Sequence, residues 1–302
     1  MPTRGTHEGL DHVTAPPPAP GTTGAAAGFR PRRTLPYLVE VRRQLTRRRT
    51  QLTLGFLVVL PFLLVGAFKL GDPNDRGRGA PGLVDVATSG AGNFTLFTLF
   101  VATGFLLVVV FALFAGDTVA SEASWSSLRY LLAAPVPRPH LLGRKLAVAL
   151  TYSFAALVVL PTVSYVAGGL FFGWGPVRTP LGTTMPTSQA LVRLAIVVAY
   201  LAVTLVFVSA LGFAIGVWTD APLGAVGGAV LLVIVSNILD AVTALGRWRE
   251  VLPTHYSYAW TDALGPSVAW EAMARGVLWS LAYSTILFAA AWWHFLRKDV
   301  VS

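Results

Sequence analysis

The chain contains no cysteine, so neither a disulfide framework nor a thiolate metal site can organise it. Charge is scarce: 12% of the 302 residues are Asp, Glu, Lys or Arg, about half of the ~25% usual in a soluble globular domain. The histidines do not gather. His140, His255 and His294 fall in different segments and no two sit at i, i+4, which excludes a zincin arrangement. There is no G-x-x-x-x-G-K-[ST] phosphate loop, no G-x-S-x-G nucleophile elbow and no pair of intramembrane acids of the kind a protease or proton pump uses. The sequence therefore offers no catalytic residues and no metal ligands, and it reads as a non-enzyme.

What is abundant is apolar surface. Hydrophobic residues make up 54% of the chain and the mean hydropathy is +0.64, which points to an all-α polytopic membrane protein. The net charge of +9 does not point to nucleic acid. The positive residues cluster beside apolar runs, where they set orientation and attract anionic lipid.

A helix needs about 20 apolar residues to cross a bilayer. Six runs satisfy this: Gln51–Leu70, Asn93–Ala115, Leu146–Phe172, Ala190–Val217, Pro222–Leu245 and Arg275–Leu296. Pro61 and Pro161 are expected to kink the first and third. With the N-terminus inside, fifteen of the 23 Lys and Arg face inward, led by the cluster Arg42, Arg43, Arg47, Arg48 and Arg49. This predicts a multi-pass protein of the cell membrane with both termini cytoplasmic. Residues 1–34, rich in Pro, Ala, Gly and Thr, are expected to be a disordered cytoplasmic tail, and 35–302 the transmembrane domain. The first apolar run starts too late for an ordinary signal peptide, although Val65-Gly66-Ala67 weakly imitates a cleavage site.

Three connections carry a pattern. In Leu35–Arg49, Tyr37, Leu38, Val41 and Leu45 share one helical face while Glu40, Arg43 and Arg47 share the other, which predicts a helix lying in the inner interface and ending near Arg48. The fourth and fifth runs are joined only by Trp218–Ala221, an antiparallel hairpin in which Asp220 can cap the fifth helix and Pro222 can open it. Gly246–Ala274 holds Trp248, Tyr256, Tyr258, Trp260 and Trp270. It reads either as short helices dipping re-entrantly into the outer interface or as an ordinary aromatic-belt loop.

The most informative segment is EASWSSLRYLLAAPVPRPHLLGRK, Glu122–Lys145. Asp117 or Ser121 can cap a helix that must end before Pro135, with Trp125, Leu128 and Leu132 on one face. A short helix held at both ends by spanning helices can pass motion to them. The plainer reading is a solvated loop with basic lipid anchors.

Glu122-x-x-Trp125-Ser126-Ser127-Leu128-Arg129, Leu131-Leu132, Pro135-Val136-Pro137-Arg138 and Leu141-Leu142-Gly143-Arg144-Lys145 resemble the first cytoplasmic loop of ABC-2 type permeases. Ser126 stands where that family usually has Gly, and Ser127 where it has Thr. The six-run layout, the interfacial helix and the long connection before the last run match the same family. The resemblance implies a permease subunit of an ATP-driven exporter, dimerising with a second permease copy and coupled to a separate cytoplasmic ABC ATPase. ATP and Mg would be bound by that partner, so this chain needs no cofactor. Glu122 through Leu132 would be the cytoplasmic coupling helix between the second and third spans. Glu122 and Arg129 would be its polar contacts, Trp125 and Leu128 its apolar anchors, and Pro137, Arg138 and Lys145 would belong to the loop that follows. A hydrophobic or amphiphilic cargo is expected from the apolar runs. The competing class is a non-transporting membrane scaffold or assembly subunit.

Within the spans, Asn237 and Asp240 are suspects by default because polar and acidic groups in a membrane helix are costly. They can line a transport path or serve packing. Gly212-x-x-x-Gly216 and Gly224-x-x-x-Gly228 allow close helix approach, either in the fourth–fifth hairpin or, by the family resemblance, for Gly224 and Gly228 at a dimer contact.

Overall fold

The computed structural model describes residues 36–71, 83–124, 138–178, 184–219 and 221–297. Its helices are α1 (Tyr37–Leu45), α2 (Arg48–Leu70), α3 (Leu83–Ala87), α4 (Ala91–Thr103), α5 (Leu106–Ser124), α6 (Arg138–Phe172), α7 (Thr187–Thr204), α8 (Val206–Thr219), α9 (Pro222–Ala241) and α10 (Trp270–Arg297). Between α6 and α7 a two-stranded antiparallel ribbon pairs β1 (Val177–Arg178) with β2 (Thr184–Met185). Between α9 and α10 lie two 3-10 helices, Thr243–Val251 and Ala259–Leu264.

Five helical stretches are long and apolar enough to cross a membrane: α2, α6, the α7–α8 run, α9 and α10. The protein is thus a helical, multi-pass membrane protein. The run Asn93–Ala115 corresponds to α4 and α5, which are bent by 58° and make a sixth span if they are counted as one. The bend falls at Gly104, a poor helix former. A Cβ there would lie 2.5 Å from the hydroxyl of Tyr258, so the aromatic connection before α10 packs into the corner. Thr103 adds to it by returning its hydroxyl to the Leu99 carbonyl at 2.7 Å, a bond that bends helices.

Helices α5 and α8 form the centre. Phe111, Phe114, Leu107, Leu157 and Leu160 are fully buried in one core cluster, and Phe213, Ala214 and Leu142 in a second. Contact between α5 and α8 is close because both backbones are bare. A Cβ at Gly216 would come 2.6 Å from the Gly116 carbonyl, and one at Gly212 would come 3.1 Å from that of Ala112. Gly212 and Gly216 therefore lie against α5. Gly228 faces Ile215 of α8 across the hairpin, and among the described residues Gly224 meets only Ala221. Helices α2 and α9 stand at the edges with broad apolar exposure, including Leu52, Leu63, Leu223, Leu231 and Ile238.

Several boundaries differ from the sequence expectation. Helix α5 runs unbroken through Asp117 and Ser121 to Ser124, so neither caps a new helix; the amide of an interior residue is already bonded within its own helix. Helix α6 starts at Arg138, which places Arg138 and Lys145 inside a helix and not in a loop. The N-cap of α9 is Ala221, without a side-chain cap, and Asp220 lies outside the described residues.

Candidate functional site

On the face that carries α1, four helix ends are held together by ionic and polar contacts. Residue Lys145 of α6 is paired with Glu40 of α1, and both are buried, at 3% and 5% exposure. Two charges removed from water remain stable only when matched in this way. Arg43 approaches the same carboxylate at 3.5 Å. The hydroxyl of Tyr152 donates to the Val41 carbonyl at 2.6 Å, and Tyr37 meets Thr151 by a second hydroxyl contact. Helix α1 is thereby stapled to α6 over two turns.

The start of α2 is fixed to α5 in the same manner. Buried Asp117 is paired with Arg49, and Arg47 reaches its other oxygen at 3.7 Å. Arg47 also donates to the Ser121 hydroxyl at 3.3 Å. The α1–α2 corner therefore grips both α5 and α6, the two helices that bracket residues 125–137. The sequence expectation put Glu40 on the solvent face of an interfacial helix. The structure turns Glu40 and Gln44 toward the bundle and leaves Leu38, Val39 and Leu45 exposed, so in a bilayer the apolar side would rest in lipid.

Of the candidate coupling residues, Glu122 falls in α5 and Arg138 in α6. Trp125, Ser126, Ser127, Leu128, Arg129, Leu132 and Pro137 lie outside the described residues. Lys145 joins the ionic frame. Glu40 and Asp117 were missed as members of it. The only sequence signal is isolation: Glu40 is the sole acid between Asp11 and Asp72, in a strongly basic stretch.

At the opposite end of α9, Asp240 accepts from His255 Nδ1 at 2.5 Å and lies 3.6 Å from Arg249. Ser236 and Thr254 share a hydroxyl bond of 2.7 Å. These contacts tie the α9 terminus to the connection before α10. Asn237 is exposed. Among the described residues, no group of three His, Asp or Glu is placed to hold a metal ion.

Fold and frame together define a polytopic helical membrane protein with a clamped helix corner on one face. Residues 84–301 match the family described as "Protein of unknown function (DUF2705)". That match spans more than half of the chain, and the protein belongs to this family. No curated protein matches the chain.

Proposed function

We propose that this protein is the membrane subunit of an ATP-driven exporter of the ABC-2 type, working as a dimer on a separate cytoplasmic ATPase. The observation that carries the reading is the ionic frame. A force-receiving loop needs stiff supports, and 125–137 is bracketed by α5 and α6, both anchored to the α1–α2 corner through buried charges. Pressure on Glu122–Leu132 would pass along α5 and α6 into the bundle and through Lys145 and Glu40 into α1. In this reading α4 and α5 act as one bent span, giving six, with both termini and the frame in the cytoplasm of a cell-membrane protein. ATP and Mg are held by the partner. The exposed apolar edges of α2 and α9 suit a second copy, and the cargo is hydrophobic or amphiphilic.

The test is co-purification with the ATPase encoded in a neighbouring reading frame. Glu122→Lys and Leu128→Asp should each abolish capture while the protein still inserts into the membrane. Undiminished capture with both variants would remove the role assigned to this loop.

A further inference from the structure

On the face opposite α1, a cavity of about 370 Å³ opens between α4, the β1–β2 ribbon, α7 and the second 3-10 helix. That volume lies within the ~300–1,000 Å³ range of small-molecule sites. Its walls are largely apolar, with Leu96, Phe97, Phe100, Met185, Trp260 and Leu264 in the lining. Phe100 packs against Tyr258 with ring centres 5.1 Å apart and the rings tilted by 48°. The ribbon is pinned across the cavity by Asn93, which exchanges two hydrogen bonds with the Arg178 backbone at 2.6 and 2.9 Å.

One polar feature stands out in this lining. Arg193, two turns into α7, is 7% exposed. Its guanidinium donates to the carbonyls of Ala263 at 2.9 Å and Pro266 at 3.4 Å. Among the described residues no carboxylate pairs with it. A guanidinium has five N–H donors in a planar fork, so these two bonds leave donors over, and both acceptors are neutral carbonyls. A buried cation without a directly paired counter-charge is costly, and Arg193 stands near the start of a candidate span, where an ionisable group is a functional suspect. Arg178 lines the same cavity, and no Asp or Glu does so among the described residues. The indole N–H of Trp260, in the same wall, has no acceptor among the described residues.

We infer that this cavity binds one apolar chain and the single anionic head of an amphiphile. The chain lies against Phe97, Phe100 and Leu264, and the head takes the place of the missing carboxylate at Arg193. A neutral amphiphile of equal length would satisfy the walls but not the cation. A small inorganic anion would satisfy the cation but leave the apolar walls unfilled. The site is independent of the coupling role proposed for the opposite face.

The experiment uses the full chain in nanodiscs of zwitterionic lipid and a diazirine-bearing dodecanoate as photoprobe. Labelling should map to peptides covering 93–100 and 260–266. Excess dodecanoate should remove it, while dodecanol and inorganic phosphate should leave it at least tenfold less affected. Arg193→Gln, and Ala190→Trp, which fills the cavity from α7, should each cut labelling at least tenfold while the protein stays monodisperse. Equal competition by dodecanol, displacement by phosphate alone, or labelling spread evenly over α2 and α9 would overturn the inference on the unaltered protein, whether or not the variants fold. Nanodiscs containing phosphatidylglycerol separate the two sources of such a ligand. Loss of labelling there assigns the site to a bilayer lipid, and retention assigns it to a single-chain amphiphile.

Discussion

Lys145 and Glu40 illustrate how one pair of side chains can fix the place of a whole helix. Removing one member of a buried pair leaves the other as an uncompensated charge, at a cost of roughly 3–5 kcal/mol, whereas replacing both by apolar residues of like size is often neutral. Lys145→Met should therefore lower the thermal midpoint of the detergent-solubilised protein sharply, and the Glu40→Leu/Lys145→Met double variant should regain most of it. Equal losses in the single and double variants would show that the pair contributes nothing as a pair. The two residues are 105 positions apart, and a single sequence contains no term that joins them. Asp240 is a contrasting case. Its acid in an apolar run was visible as a suspect, but its partners His255 and Arg249 were not, because they come from a 3-10 helix and a turn with no hydrophobic period.

At the scale of elements, the spans were legible because burying backbone in lipid demands long apolar helices. Their limits were less so. Arg144 and Lys145 lower the hydropathy of the segment before Leu146, yet the helix continues back to Arg138 because Lys145 is neutralised by α1. The 58° break between α4 and α5 is invisible to hydropathy, since a bend changes direction and not composition. The glycine pattern was visible, and the structure places Gly212 and Gly216 of α8 against α5, with Gly216 also meeting Ala225 of α9. Gly216→Val should destabilise the protein by about 1–3 kcal/mol, the usual cost of overpacking a tight contact, because the added carbons meet the Gly116 backbone. Gly227→Val, at a position with open space around it, should cost much less. Thermal unfolding monitored by size-exclusion fluorescence would separate the two, and equal losses would argue against the α5–α8 contact.

For the molecule as a whole, the absence of native cysteine makes sidedness directly measurable. A cysteine at Ser126 should react with a membrane-impermeant maleimide only after cells are opened. One at Trp248, which is 76% exposed, should react in intact cells. Reaction at Ser126 from outside would invert the proposed topology. Helix α6 has 35 residues and so is about 52 Å long, well beyond the ~30 Å hydrocarbon core. Its overhang gives it the geometry of an oar: a tilt of only about 5° about its far end sweeps the tip of the blade through about 4.5 Å. In the proposed topology that blade carries Lys145, so rocking of α6 would drag α1 along the membrane surface, and the stroke would be read by the lipid as well as by the bundle.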